Sequence, residues 1–589
     1  MFKMLGRKYG KKKVNTLRHT VSLLFFGLVF VFSLSTAEEF QRLVILHTND
    51  IHGSLEPQGA TWINPDFPPE LGGAASVATY IKQVRNESLK NNDYFLLLDA
   101  GDIYQGTPVG DKTKGSAVIK YFNRLHYDAW NAGNHDFDDG IENLKNLCWI
   151  SQMPVLCANI ESDCFKPYLI KNFGEIKVGI IGVITDDLSS LVASNKLQGI
   201  QVLPAAITLK KYVSRLRDQG CELIIVLSHL GFPHKREIKG RINVLEEILK
   251  EGTEKGLTPY SEGLINFVTE KKGFSLDDLE IARLIDGIDL IIGGHTHVGI
   301  EPPYEDEVTH AVVVQAYSSL TSIGRMDLLV EKKKKGIAFY KYKLIILFWE
   351  EFPSDLEMKE LIASEVKKAE EGMQTCLGFA KKDIGRGDYE SPLGNLITDA
   401  MREASGADVA LINRGGIRAD LKAGDITEED VYRVLPFGDI LVKFPVTGKQ
   451  LKEILEVGVS GKRRDTQLSG VKIVWNPNFP EGKRLCEVRV GDELLNLDKT
   501  YTFVTSDYLA RGAIGYTILV ELSPARSSAV GGADKKDAYL GGLTLREALI
   551  EYIKKHSPLE PKIEGRNVHS QKAKYSKEME EINKRIYGQ

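Results

Sequence analysis

Seven side chains able to bind metal occur in the order Asp50, His52, Asp102, Asn134, His229, His295 and His297, each just beyond a short apolar run. Two divalent cations sharing one bridging carboxylate need about this set of donors. HTNDIHG supplies Asp50 and His52 two residues apart, and side chains at that spacing on a strand end point the same way. Asp102, in LLLDAGDIYQG, is placed to bridge two ions. Asn134, in NAGNHDFDDG, offers a neutral amide oxygen. His229 closes LIIVLSHLG, and His295 and His297 close IDLIIGGHTH. A lone Asp-x-His is an ordinary polar strand cap, and Gly-Asn-His-Asp alone is an ordinary turn. Five such motifs in order, each after an apolar run, point to a metal pair instead. Imidazole mixed with carboxylate suits zinc, manganese or iron better than magnesium or calcium, which prefer oxygen cages.

The elements that must position these ligands are strands. Leu43–Leu46, Tyr94–Leu98, Val178–Ile184, Leu223–Leu227, Leu290–Ile292 and Ala311–Val314 are apolar runs, most without polar alternation, which predicts strands buried on both faces. They alternate with helical stretches across residues 41–350. About sixty residues separate SHLG from GGHTH. The part from Pro233 to Glu280 is rich in Lys, Glu and Gly and reads as a mostly helical surface insertion: a lid, a partner surface, or decoration without a catalytic role. The run Lys332–Lys335 reads as a solvated hairpin turn, and residues 338–349 return to a strand pattern. Residues 353–376 have the spacing of a linker helix, a second domain follows over 377–557, and the charged tail 558–589 is expected to pack poorly.

The five motifs together resemble the calcineurin-like metallophosphoesterases, in the branch of 5'-nucleotidases and UDP-sugar hydrolases. SPLGNLITDAM, LINRGGIRADL, GDIT, VLPFGD and TGKQLKEIL resemble that branch's C-terminal domain. The resemblance spans nearly all of residues 41–557. It implies an α/β chain: a four-layer αββα sandwich with metals at the C-terminal strand ends, then a second α/β substrate-binding domain. Matching positions assign Asp50, His52, Asp102 and His297 to one metal, and Asp102, Asn134, His229 and His295 to the other. His135 and Asp138 match the catalytic pair. Asn413, Gly415, Arg418, Phe437 and Tyr508 match the substrate-binding set. Physically, Arg418 can fork onto phosphate oxygens, Asn413 can take a hydrogen bond from ribose or base, and two aromatics can sandwich a base.

The pattern breaks in one turn. Where that family continues from its second aromatic into a Gly-Gly-Asp-Gly turn, this chain has Gly512-Ala513-Ile514-Gly515, and Ile514 cannot accept a ribose hydroxyl. Tyr389 likewise stands where an Arg is expected, with Arg386 nearby.

Phosphoryl transfer needs an attacking oxygen, neutralisation of the phosphate and help for the leaving group. Paired metals meet the first two needs by activating water at about neutral pH, so no Ser or Cys nucleophile is required. His135 can stabilise the phosphoryl oxygens or protonate the departing alkoxide, with Asp138 orienting its ring. The expected activity is removal of phosphate from nucleotides. The alternatives are a phosphoesterase for cyclic nucleotides, nucleotide sugars or non-nucleoside esters, and a non-catalytic extracellular nucleotide-binding protein.

The rest of the 589 residues bound the setting. A net charge of −4 with 26% charged residues gives no basic bias towards a nucleic-acid polymer. Lys3, Arg7, Lys8, Lys11, Lys12, Lys13 and Arg18 precede the apolar run Val21–Leu34 and then Ser35-Thr36-Ala37. That order predicts a secretory signal over residues 1–37, cleaved after Ala37, since a membrane span usually needs about 20 apolar residues. The protein is expected in the periplasm, at the cell surface or outside the cell, meeting the membrane only during export. Of six cysteines, Cys148, Cys157 and Cys164 cluster, and an oxidising compartment makes one bridge within the cluster plausible.

Overall fold

A computed structural model describes residues 40–587, apart from 61–62, 65–66, 193–195, 273–274, 332–335, 461–465, 511 and 523–539. The signal over residues 1–37 and the Lys332–Lys335 turn lie outside the described residues.

Two six-stranded sheets build the first half. In one, the order is Ile337–Ile346, Ser322–Glu331, Phe40–Thr48, Tyr94–Asp99, Ala129–Asn131, Val155–Leu156. In the other it is Tyr304–Glu305, Val312–Val314, Leu290–Gly293, Leu223–His229, Ile176–Ile184, Tyr168–Phe173. The ligand-bearing strands Phe40–Thr48 and Tyr94–Asp99 are parallel, as are Leu223–His229 and Leu290–Gly293, so the loops after them emerge at one end.

The apolar runs lack polar alternation because both faces of each strand are covered. Leu43 and Ile45 face the other sheet, in a core shared with Leu96, Ile180, Ile225 and Leu290. Val44 and Leu46 point the opposite way, onto helices with Ile81 and Phe122. On the second sheet Ile225 and Leu227 face inward, while Ile224 and Val226 pack on helices with Leu209 and Leu279. The result is four layers, helix on sheet on sheet on helix.

The Pro233–Glu280 segment is helical over Ile238–Glu254 and Glu262–Lys272, and Leu245, Ile265 and Val268 bury an apolar side in the core of the second sheet's helices. The helix Leu356–Glu370 starts on Asp355, whose side chain accepts the Met358 amide, and it buries Met358 and Ile362 in the first half's core. It is a packed helix of that half.

Beyond it, one four-stranded sheet runs Leu441–Thr447, Thr500–Ser506, Val409–Asn413, Thr466–Ser469, and a second runs Glu493–Leu494, Leu485–Val490, Val471–Trp475, Asn567–His569. The last strand corrects an expectation, because the charged tail packs. Asn567–His569 pairs in parallel with Ile473–Trp475, and Arg566 binds both oxygens of Asp399 at 2.8 Å. The helix Lys577–Tyr587 then buries Met579 and Ile582. An apolar stripe on an otherwise charged helix is invisible to net composition.

All six cysteines are free thiols, so the cluster holds no bridge. Cys148 and Cys164 are nonetheless neighbours, and the hydrogen bond between them pushes the Cys148 thiol far up. Among the described residues no helix is long and apolar enough to cross a membrane.

Candidate metal centre and cleft

The predicted ligands converge, but by a different route from strand alternation. Phe40–Thr48 and Leu290–Gly293 end before their ligands begin. Asp50, His52, Asp102, His295 and His297 all adopt left-handed backbone, with φ of 50°, 51°, 56°, 78° and 56°. Each such residue costs about 1–3 kcal/mol and persists only where its surroundings impose it. Here the imposition is explicit. The amides of Asp50, His52 and Gly53 donate to the carbonyls of Gly101, Asp102 and Ile103 at 2.8, 3.1 and 3.0 Å, zipping two ligand loops together. His295 N–H donates to both Asp50 oxygens, at 2.9 and 3.0 Å. Gly133 permits the third loop to close in, since a Cβ there would collide with Asp102 Oδ1.

Two groups of donors result. Asp50, His52 and His297 form one, and Asp102, His229 and His295 the other, with the donor atoms of each group within 4.8 Å of one another. Asp102 Oδ2 stands 3.0 Å from His229 Nε2 and 4.0 Å from His52 Nε2, so it reaches both. His52 and His297 bring their Nε2 atoms to 3.0 Å. Second partners fix the tautomers: His52 Nδ1–H donates to the Gln105 carbonyl at 2.9 Å and His229 Nδ1–H to that of Ala100 at 2.8 Å, leaving each Nε2 free to bind a cation. Asn134 is buried and neither of its amide atoms has a partner among the described residues. A buried amide without partners is costly, and a metal would satisfy its oxygen. The donor set fits two divalent cations.

The electrostatics agree. Burial pushes Asp50 and Asp102 up, but the surrounding imidazoles more than offset it, holding Asp50 below the usual carboxylate range and Asp102 well below it. Burial, helped by His297, pulls His52 down to about 4. Burial also pulls on His229, yet Asp102 and Asp50 overcome it and carry the ring to about 10. Acids and imidazoles this close hold one another's charge, the task a cation would assume.

His135 sits beside the ligands. Its amide donates to Asp102 Oδ1 at 2.8 Å, its ring meets the His52 ring edge-on at 5.5 Å, and its Nδ1 lies 2.7 Å from Asp138 Oδ2. Asn413, Gly415, Arg418, Phe437 and Tyr508 come from the C-terminal half and line the same 2420 Å³ cleft as His52, Asp102, Asn134, His135, His295 and His297. Phe437 and Tyr508 remain 47% and 45% exposed, large aromatics left uncovered at the cleft. Arg418 lies 5.9 Å over the Phe437 ring. Ile514 also lines the cleft, in left-handed backbone at φ 49°, as do Glu237, Arg241 and Asp277 of the helical segment.

Sequence reasoning missed the residues that brace the ligands. Asp136 is buried and accepts the amides of Asp102, Ile103 and Gly133 at 3.1, 2.9 and 2.7 Å. Asn49 donates to Asp50 Oδ2 and to the Tyr317 carbonyl, each at 2.7 Å. Both stand inside the ligand motifs, and a polar residue there without a ligand role was the available signal.

Residues 43–299 match the calcineurin-like phosphoesterase model, and residues 377–521 match the 5'-nucleotidase C-terminal domain. The chain belongs to the 5'-nucleotidase family of calcineurin-like phosphoesterases. It is 29% identical to a snake venom 5'-nucleotidase from Gloydius brevicauda, over 93% of this chain and 92% of that one. It is 28% identical to the trifunctional nucleotide phosphoesterase YfkN of Bacillus subtilis, over 89% of this chain but 34% of that one. The crystal structure of a 5'-nucleotidase precursor from Thermus thermophilus superposes with a TM-score of 0.58 at 29% identity, covering 90% of this chain and 99% of that one. A putative 5'-nucleotidase from Staphylococcus aureus superposes at 0.64 with 20% identity, a likeness of fold, over 90% and 100% of the two chains. This phosphoesterase is thus a metal-dependent phosphoester hydrolase, and the four-layer sandwich with a second α/β domain is its family's fold.

Proposed function

We propose that this phosphoesterase is an exported enzyme that binds two divalent cations and removes phosphate from nucleotides. The observation that carries the reading is the single cleft shared by the two donor groups, His135 and the uncovered aromatics Phe437 and Tyr508. Zinc, manganese or iron bound by Asp50, His52, Asp102, Asn134, His229, His295 and His297 would supply a water acidified to about pKa 7 and neutralise phosphoryl charge.

The chain's own residues do the rest. His135, held through Nδ1 by Asp138 beside the donor groups, is the residue proposed to give a proton to the departing oxygen. Asp138 fixes the ring and stabilises its positive charge. Phe437 and Tyr508 offer faces to a base, a contact of roughly 1–3 kcal/mol per base that tolerates different bases. Arg418 brings a guanidinium to the same wall. The buried Asn413 Oδ1 has no partner among the described residues and is suited to accept a hydrogen bond from substrate. Export rests on the basic-then-apolar start of the sequence and on the venom origin of relatives.

Ile514 favours a second reading, in which substrates without ribose hydroxyl contacts, including non-nucleoside esters, are preferred. A panel of AMP, ATP, UDP-glucose, a cyclic nucleotide and an aryl phosphate, assayed with manganese or zinc, separates the two. Efficient AMP turnover supports the nucleotidase; turnover of the aryl phosphate alone rejects it.

A further inference from the structure

The segment from Asp102 to Asp111, a loop that runs into the short helix Pro108–Lys112, touches both halves of the chain. On one side the Gln105 carbonyl accepts His52 Nδ1–H at 2.9 Å, and Gly106 lies so close that a Cβ on it would stand 3.3 Å from the Cβ and carbonyl oxygen of His52. Gln105 has φ of 70°, a conformation its neighbours must impose. One restraint is Asp111, whose Oδ1 accepts the Gly106 amide at 2.8 Å. The other oxygen of Asp111 faces the C-terminal half, where Arg546 Nη1 donates to it at 2.8 Å.

Arg546 is itself fixed. Its Nε and Nη2 donate to the carbonyls of Leu435 and Pro436 at 3.1 and 3.0 Å, its guanidinium lies 3.6 Å over the Tyr432 ring, and the residue is only 7% exposed. Gln105 is pressed from the same side, since a Cβ on Gly438 would collide with its Nε2. The nearby bridge between Lys112 and Glu428 is more exposed and worth little in comparison.

We propose that Arg546 is a positioning residue for His52: by holding Asp111 across the boundary between the halves, it sets the shape of the loop whose Gln105 carbonyl orients the His52 ring. Burying a charge pair is expensive and an apolar contact would dock the halves as well, so docking alone gives no reason for it. A guanidinium fork gives direction to the carboxylate it holds. Direction is what a partner behind a metal-binding imidazole must transmit. The inference rests on the reading of His52 as a metal-binding residue.

The test is zinc release from fully loaded full-length protein challenged with excess EDTA, alongside kinetics on p-nitrophenyl phosphate. In Arg546→Gln and in Asp111→Asn, one of the two zinc ions leaves about 10–100-fold faster, the scale for partners behind a metal ligand. The aryl-phosphate kcat falls with its KM unchanged, and Arg546→Lys recovers part of both. Lys112→Ala leaves zinc release as in wild type. Asp111→Asn keeps the three contacts of Arg546 within the C-terminal half, so it decides the matter if Arg546→Gln fails to fold. Unchanged zinc release and aryl-phosphate kcat, with only nucleotide KM raised, would make Arg546 a docking contact and overturn the proposal. Wild-type protein that takes up fewer than two zinc ions overturns the metal reading itself, a separate result visible before any variant is made.

Discussion

The His135 ring nitrogen Nδ1 lies 2.7 Å from Asp138 Oδ2, while the His135 amide is tied to Asp102 Oδ1 at 2.8 Å. One loop thereby fixes the His135 ring relative to the carboxylate that reaches both donor groups. His135→Ala is expected to lower kcat by about 10²–10⁴, the usual scale for a general acid, with bound metal retained. Asp138→Asn keeps the shape but removes the charge that stabilises a protonated ring, so it lowers kcat less. Steady-state kinetics with metal analysis on the same samples decides this: unchanged kcat in His135→Ala rejects its role.

Phe437 and Tyr508 leave nearly half their surface uncovered at the cleft. Tyr508→Ala and Phe437→Ala are each expected to raise KM for AMP by about 5–150-fold, from roughly 1–3 kcal/mol of stacking. KM for a small aryl phosphate should move much less. Equal changes for both substrates would mark the rings as packing.

The strands and the polar residues that cluster beyond them were legible for one physical reason. Four-layer burial forces unbroken apolar runs such as Leu43–Leu46 and Leu223–Leu227, and the polar residues that interrupt their ends stand out. How Asp50 and His52 converge was not legible. Strand alternation was the natural reading of Asp-x-His, whereas the structure uses left-handed backbone held by a neighbouring loop, a tertiary restraint with no local signature. The braces Asp136 and Asn49 were hidden for the same reason, since their partners lie in other loops or at other loop positions. The tail misled because Met579 and Ile582 are few among many charges, yet they suffice to seat a helix.

Asp278 gives a pH prediction away from the cleft. It is fully buried, accepts the Ser228 hydroxyl on Oδ1, and its Oδ2 has no partner among the described residues. Burial pushes its carboxyl up to about 8. A carboxyl raised on folding holds its proton in the native state after the unfolded chain has released it, so its contribution to stability is lost as pH rises from about 4 to about 8. Asp278→Asn has no proton to lose. Urea unfolding at pH 5 and pH 8 should show wild type losing about 1–3 kcal/mol relative to Asp278→Asn across that range. Parallel pH dependence in the two proteins would show that the carboxyl is not held protonated.

Asp102 reaches both donor groups, whereas the family resemblance assigns the partnerless Asn134 to the group of His229 and His295 alone. Asp102→Ala should therefore weaken both cations, and Asn134→Ala should weaken one, leaving about one tightly held ion per chain. Equilibrium dialysis against zinc distinguishes the two patterns, and equal loss in both variants contradicts the bridging role of Asp102.

The most direct measurement is elemental analysis of purified, active protein, before and after chelation. The arrangement of Asp50, His52 and His297 beside Asp102, His229 and His295 predicts two divalent ions per chain, loss of hydrolysis when they are stripped, and recovery on adding zinc or manganese. Full activity in protein from which every divalent ion has been removed would contradict it.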